Sequence, residues 1–166
     1  VKVLGKRAKE DVHTGLAAGG INASFGNLDV DDCWEQHFFD TFNEGYGLGN
    51  PECIELMVKN APLLVDEIEN WGANFNKLEN GKLDQRYFGA HKYRRTCFSG
   101  DYTGRSILNT LLSKAKELEI GIFDNQYVVD LLVKDGICFG ALAINTENGE
   151  LIVHYSDAVI MCTGGH

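Results

Sequence analysis

Five consecutive apolar residues, Ala158-Val159-Ile160-Met161-Cys162, stop at Thr163-Gly164-Gly165, and this run constrains the fold more than any other stretch. An uninterrupted apolar strand is what a parallel sheet covered on both faces demands, so residues 158–162 are expected to be such a strand. The strand-like texture begins after Gly121, with apolar segments at 122–123, 127–133, 138–145 and 151–155. Asp135-Gly136 and Asn148-Gly149 supply hairpin turns between the later ones, which predicts a three-stranded antiparallel meander.

The earlier part of the chain reads differently. Val1 to Leu4 is expected to be a strand that turns at Gly5-Lys6-Arg7 into a polar loop carrying His13. Asp31 is placed to cap a helix reaching about Asn43, and Asn50-Pro51 to open another. Pro62 is expected to interrupt that second helix, leaving a further one over 63–71 that ends at Gly72. Asn80-Gly81 signals a type I′ hairpin, residues 88–100 look irregular, and Thr103 is a candidate cap for a helix with Ile107, Leu108, Leu111, Leu112, Ala115 and Leu118 on one face. Strands flanking a helical insert, followed by an antiparallel appendage, make the expected class α/β.

Composition removes several function classes. Net charge is -9, and the one basic cluster, His91-Lys92-Tyr93-Arg94-Arg95, is too short for a nucleic-acid surface. Five dispersed cysteines form no C-x-x-C pair, so no structural metal is expected, and reduced thiols point to a cytoplasmic-type compartment. No apolar run approaches the ~20 residues that span a bilayer, so membrane association is expected only through partners. The chain opens inside an apolar alternation and stops just after a glycine pair, which predicts a segment of a longer domain.

Two glycine loops stand out, Ala17-Ala18-Gly19-Gly20 and Thr163-Gly164-Gly165. Paired glycines let backbone N–H groups approach an anionic or planar ligand, and the two loops are expected to follow neighbouring parallel strands and share that ligand. A single Gly-Gly is equally well a tight turn. His13 precedes the first loop. A lone histidine is most often structural, yet a neutral imidazole beside such a loop is also a competent nucleophile toward an electrophilic cofactor carbon. His37 on an apolar helical face reads as a satisfied core residue, His154 as a strand residue, His91 as part of a basic loop, and none is assigned a catalytic role. Asp101-x-Thr103-Gly104 reads as a helix start.

The run His13-Thr14-Gly15-Leu16-Ala17-Ala18-Gly19-Gly20-Ile21-Asn22-Ala23 resembles the H-T-x-x-A-x-G-G-I-x-A segment of succinate dehydrogenase and fumarate reductase flavoprotein subunits. Matches continue in order through Trp34-Glu35-Gln36-His37, Asp40-Thr41, Ala61-Pro62, Trp71-Gly72, Gln85-Arg86-Tyr87-Phe88-Gly89, Arg95-Thr96-Cys97-Phe98, Asp101-Tyr102-Thr103-Gly104 and Thr163-Gly164-Gly165. The resemblance implies a partial Rossmann-like FAD-binding domain over 1–166, lacking the first dinucleotide-binding strand with its G-x-G-x-x-G and the capping domain that follows.

It further implies FAD bonded through its 8α carbon to His13, with Thr14, Leu16, Ala18, Gly19 and Gly20 along the flavin and Gly19 also near a dicarboxylate substrate. Gly5 and Lys6 would lie near the adenosine ribose, Tyr127 and Val128 near adenine, and Thr163, Gly164 and Gly165 near the pyrophosphate side. No residue of this stretch inherits a catalytic role. The implied parent enzyme interconverts succinate and fumarate, has an iron-sulfur subunit for its partner, and sits peripherally at the cytoplasmic face of the inner membrane through partners. Ala18 stands where many members have Gln, and Cys162 where Ala is usual. The alternatives are an L-aspartate oxidase-like enzyme, against which His13 argues, and a cofactor-binding segment inactive by itself. A nicotinamide-dependent Rossmann dehydrogenase lacks its fingerprint here.

Overall fold

The structure, a computed structural model, describes residues 1–164, and two compact units account for it. The first comprises residues 1–12 and 115–164. The second comprises 13–114.

In the first unit β1 (Lys2–Leu4) pairs in parallel with β5 (Gly121–Phe123), Val3 opposite Ile122. Beyond β5 the expected meander forms as β6 (Gln126–Lys134), β7 (Ile137–Asn145) and β8 (Leu151–Tyr155) in that spatial order. Asp135 and Gly136 both take positive φ, 52° and 78°, which is what a type I′ turn requires. Ala141 and Ala143 of β7 are buried, as the centre of the meander should be.

The run 158–162 departs from expectation. It pairs with no strand among the described residues, and Ile160 is 87% exposed. An apolar run states a need for cover, whereas a strand exists only where another strand's N–H and C=O groups meet it.

The second unit holds α1 (Trp34–Glu44), α2 (Pro51–Asn70), α3 (Thr103–Glu117, its last residues in the first unit) and a small sheet. Cys33 rather than Asp31 precedes α1 and offers no side-chain cap. Asn50 caps α2 as expected, its Oδ1 accepting from the N–H groups of Glu52 and Cys53. Pro62 does not divide α2, which runs through it for 20 residues. Val58 and Val65 are fully buried on either side of the proline, and Ala61 packs against the core to which Val65 belongs, so tertiary packing outweighs the lost backbone hydrogen bond.

The small sheet has the order β2 (Ile21–Asn22), β4 (Thr96–Cys97), β3 (Gln85–Arg86), all antiparallel. It places a strand in the stretch expected to be irregular. The Asn80-Gly81 turn exists, but only Gly81 has positive φ, so it is not the mirror-image type. Ala23, Val65, Ala73, Phe75, Leu83 and Cys97 form the core, and burial pushes the Cys97 thiol up to about 12.

Candidate functional site

His13 opens a 3-10 turn, His13–Leu16, that delivers the chain into the glycine loop. Its imidazole is exposed and has no hydrogen-bond, ion-pair or ring partner among the described residues. Thr14 and Ala18 are exposed as well, and Leu16 is 74% exposed. The loop does not follow a parallel strand directly; it leads into β2 of the antiparallel sheet.

What anchors the turn from below is α3. The N–H of Gly104 donates to the Ala17 carbonyl at 2.8 Å, and a Cβ on Gly104 would overlap the Thr14 carbonyl oxygen and stand 2.8 Å from the Ala17 Cβ. Glycine is therefore needed at 104 for close approach of a helix to the loop backbone. Reading Gly104 only as part of a helix start misses this. Thr103, expected to be the cap, instead lies within the first turn and accepts from the Ser99 N–H.

Glycines 19 and 20 are pinned from two sides. The Phe88 ring lies where a Cβ of Gly19 would be, 2.5 Å from its Cζ, and the Cys97 carbonyl oxygen lies 2.5 Å from the position of a Gly20 Cβ. Arg86 spans the carbonyls: Nη2 donates to Ala18 O at 3.0 Å, Gly19 O at 2.9 Å and Gly100 O at 3.3 Å, and Nε to Gly19 O at 3.2 Å. The guanidinium lies over the Phe98 ring, 4.4 Å from its centroid. The N–H groups of Gly19 and Gly20 donate to no protein group among the described residues.

Next to this loop, β2 leads into a buried polar cluster. Asn22 accepts from the Thr96 hydroxyl at 2.6 Å, and its amide nitrogen lies 2.8 Å from His91 Nε2. An amide nitrogen can only donate, which places the His91 proton on Nδ1. The His37 ring meets His91 edge-on at 6.2 Å. Arg95, fully buried, contacts Asp32 at 2.8 Å and Asp40 at 2.9 Å, neither aligned as a hydrogen bond. Burial first, then the Arg95 cation, holds His37 down at about 4 and lowers His91. Burial raises Asp32 despite Arg95. His37 is thus buried, as expected, but its Nδ1 lacks the partner a satisfied core histidine would have.

In the first unit Gly5 and Lys6 come against the start of β6. Gly5 donates to Phe123 O at 2.9 Å and accepts from the Gln126 N–H at 2.8 Å, which brings the end of β1 against the start of β6. The Lys6 ammonium lies 4.5 Å from the centroid of the Tyr127 ring. Val128 follows on β6, partly exposed. Thr163 and Gly164 are exposed, and Gly165 lies outside the described residues. No His, Cys, Asp or Glu group suited to a metal ion occurs among the described residues.

The sequence profile of the FAD binding domain family matches residues 1–166. The chain is 36% identical over 152 residues to a fumarate reductase (CoM/CoB) subunit of Methanothermobacter marburgensis, covering 92% of this chain and 28% of that protein. It is 38% identical over 162 residues to the succinate dehydrogenase flavoprotein subunit of Rickettsia conorii, covering 93% of this chain and 27% of that one. The fold superposes on the Mycobacterium smegmatis Sdh1 complex in its apo form with a TM-score of 0.88 and 34% identity, covering 99% of this chain and 30% of the other. The chain thus spans less than a third of the length of these relatives.

Proposed function

The chain belongs to the FAD binding domain family, and from that premise we propose that it is the flavin-holding stretch of a subunit that interconverts succinate and fumarate. His13 would carry FAD through a bond from an imidazole nitrogen to the flavin 8α carbon. Thr14, Leu16 and the backbone of Ala18, Gly19 and Gly20 would lie along the isoalloxazine, with Gly19 also reaching the dicarboxylate. Gly5, Lys6, Tyr127 and Val128 would serve the adenosine end, and Thr163, Gly164 and Gly165 the pyrophosphate side.

One observation carries this assignment: an exposed, unpartnered imidazole begins the turn that ends in two successive unpaired glycine N–H groups. Those groups suit acceptor atoms on the edge of a planar heterocycle, and the exposed imidazole suits a covalent bond. When bound, the flavin supplies two-electron chemistry, while this chain supplies orientation. Glycine at 19 and 20 lets the loop backbone pack against Phe88 and the Cys97 carbonyl, which fixes where its N–H groups stand.

In the full enzyme the electrons would pass to or from an iron-sulfur partner, and partner subunits would bring the protein to the membrane. No helix of the described residues is long and apolar enough to cross a bilayer. The test is acid precipitation of the full-length protein. Yellow flavin that stays with the precipitate supports the covalent reading, whereas complete release favours an oxidase or reductase with noncovalent FAD.

A further inference from the structure

We propose that Arg86 is a positioning residue that aims the N–H groups of Gly19 and Gly20 at the bound ligand; the ligand's identity rests on the function proposed above. Every peptide bond among the described residues is trans, so each C=O and the N–H of the same peptide plane point in opposite directions. Arg86 binds the carbonyls of Ala18 and Gly19, which belong to the peptide planes whose N–H groups are those of Gly19 and Gly20. By drawing both oxygens to one side it turns both N–H groups to the other. Neither of them meets a protein acceptor among the described residues.

The fork shape matters. A guanidinium presents donors in one rigid plane and reaches two successive carbonyls and that of Gly100 together, whereas an ammonium is a single point of charge. Phe98 beneath the guanidinium and Phe88 against Gly19 keep plane and loop in register. Arg86 reaches the loop from 67 positions away in the chain and holds it by carbonyl oxygens, so its effect runs through the loop backbone.

The test uses the full-length protein with Arg86→Met, which keeps the stem over Phe98 and removes the donors, and Arg86→Lys, which keeps the charge. Amide exchange is followed over residues 14–21 and over α2 as a control. The flavin absorption spectrum and the affinity for malonate, a dicarboxylate probe read by its perturbation of that spectrum, are measured alongside.

Exchange over 14–21 is expected to rise at least roughly 10-fold in Arg86→Met with α2 unchanged, and malonate to bind roughly 10- to 100-fold more weakly with a shifted flavin spectrum. Should Arg86→Met also loosen α2, Arg86→Lys decides, since it is expected to raise loop exchange with α2 intact. Unchanged loop exchange overturns the proposal, as does full recovery by lysine, or a loosened loop with flavin spectrum and malonate affinity unaltered. Unmutated protein that purifies without FAD would instead sink the functional reading, leaving the exchange data to judge the clamp.

Discussion

Replacing Gly104 with alanine puts one methyl group into the tightest backbone approach of the second unit. The new Cβ would overlap the Thr14 carbonyl oxygen and lie 2.8 Å from the Ala17 Cβ and 2.9 Å from the Ala17 oxygen. Two of these three are backbone atoms of the turn that carries His13, so no side-chain rotation relieves the contact. Overpacking of this kind costs about 1–3 kcal/mol. Separating helix and turn also breaks the bond from Gly104 N to Ala17 O, worth about 1 kcal/mol. Against this, alanine gains about 1 kcal/mol in helix propensity.

The net expectation is a loss of about 1–3 kcal/mol, together with faster amide exchange in the turn. Ser113→Ala, at an exposed position of the same helix, gains propensity without any clash and is expected to be neutral or slightly stabilising. Urea unfolding of the full-length protein followed by circular dichroism compares the two. If Gly104→Ala stabilises as Ser113→Ala does, the close approach of α3 to the turn is wrong.

Two further expectations concern the buried cluster. His37 sits at about 4 in the folded chain against about 6.5 unfolded. Between these values the unfolded chain binds a proton that the folded one refuses, so stability falls as pH drops through that window, by up to about 3 kcal/mol from this group. Unfolding measured from pH 7 to 4 should show a shallower decline in His37→Gln; an identical slope would refute the burial argument. Arg95→Leu would leave Asp32 and Asp40 facing each other without their cation, and is expected to cost about 3–5 kcal/mol in denaturant unfolding. Asp32→Asn in the Arg95→Leu background should recover part of that loss, and strict additivity would contradict the pairing.

Local chemistry made some of this fold readable in advance. Alternating apolar residues around Asp135-Gly136 specify a hairpin by themselves, and Asn50 before Pro51 specifies a helix start. Where the outcome depends on partners distant in sequence, the same signals mislead. Pro62 reads as a break until Val58 and Val65 on either side of it are seen to be fully buried, and 158–162 reads as a strand although no strand lies beside it among the described residues.

The site divides in the same way. His13 and the glycine pair are visible in the sequence, and the resemblance of the surrounding motifs raises the histidine above an ordinary exposed one. Arg86 and Phe88 stand in a recognisable run, but their work on the loop depends on a fold that joins β3 to residues far upstream, which no periodicity reveals. Gly104 gave a visible signal, a glycine in the first turn of a helix where propensity disfavours it, and that signal points to a close approach.

Attachment of FAD at His13 is tested most directly by peptide mapping by mass spectrometry of the full-length protein purified under native conditions and digested after denaturation. The peptide containing His13 is expected to carry the added mass of FAD, with fragment ions placing the adduct on His13, and His13→Ser is expected to abolish the adduct. An unmodified His13 peptide from protein whose flavin is fully released by acid, or an adduct on another residue, would contradict it.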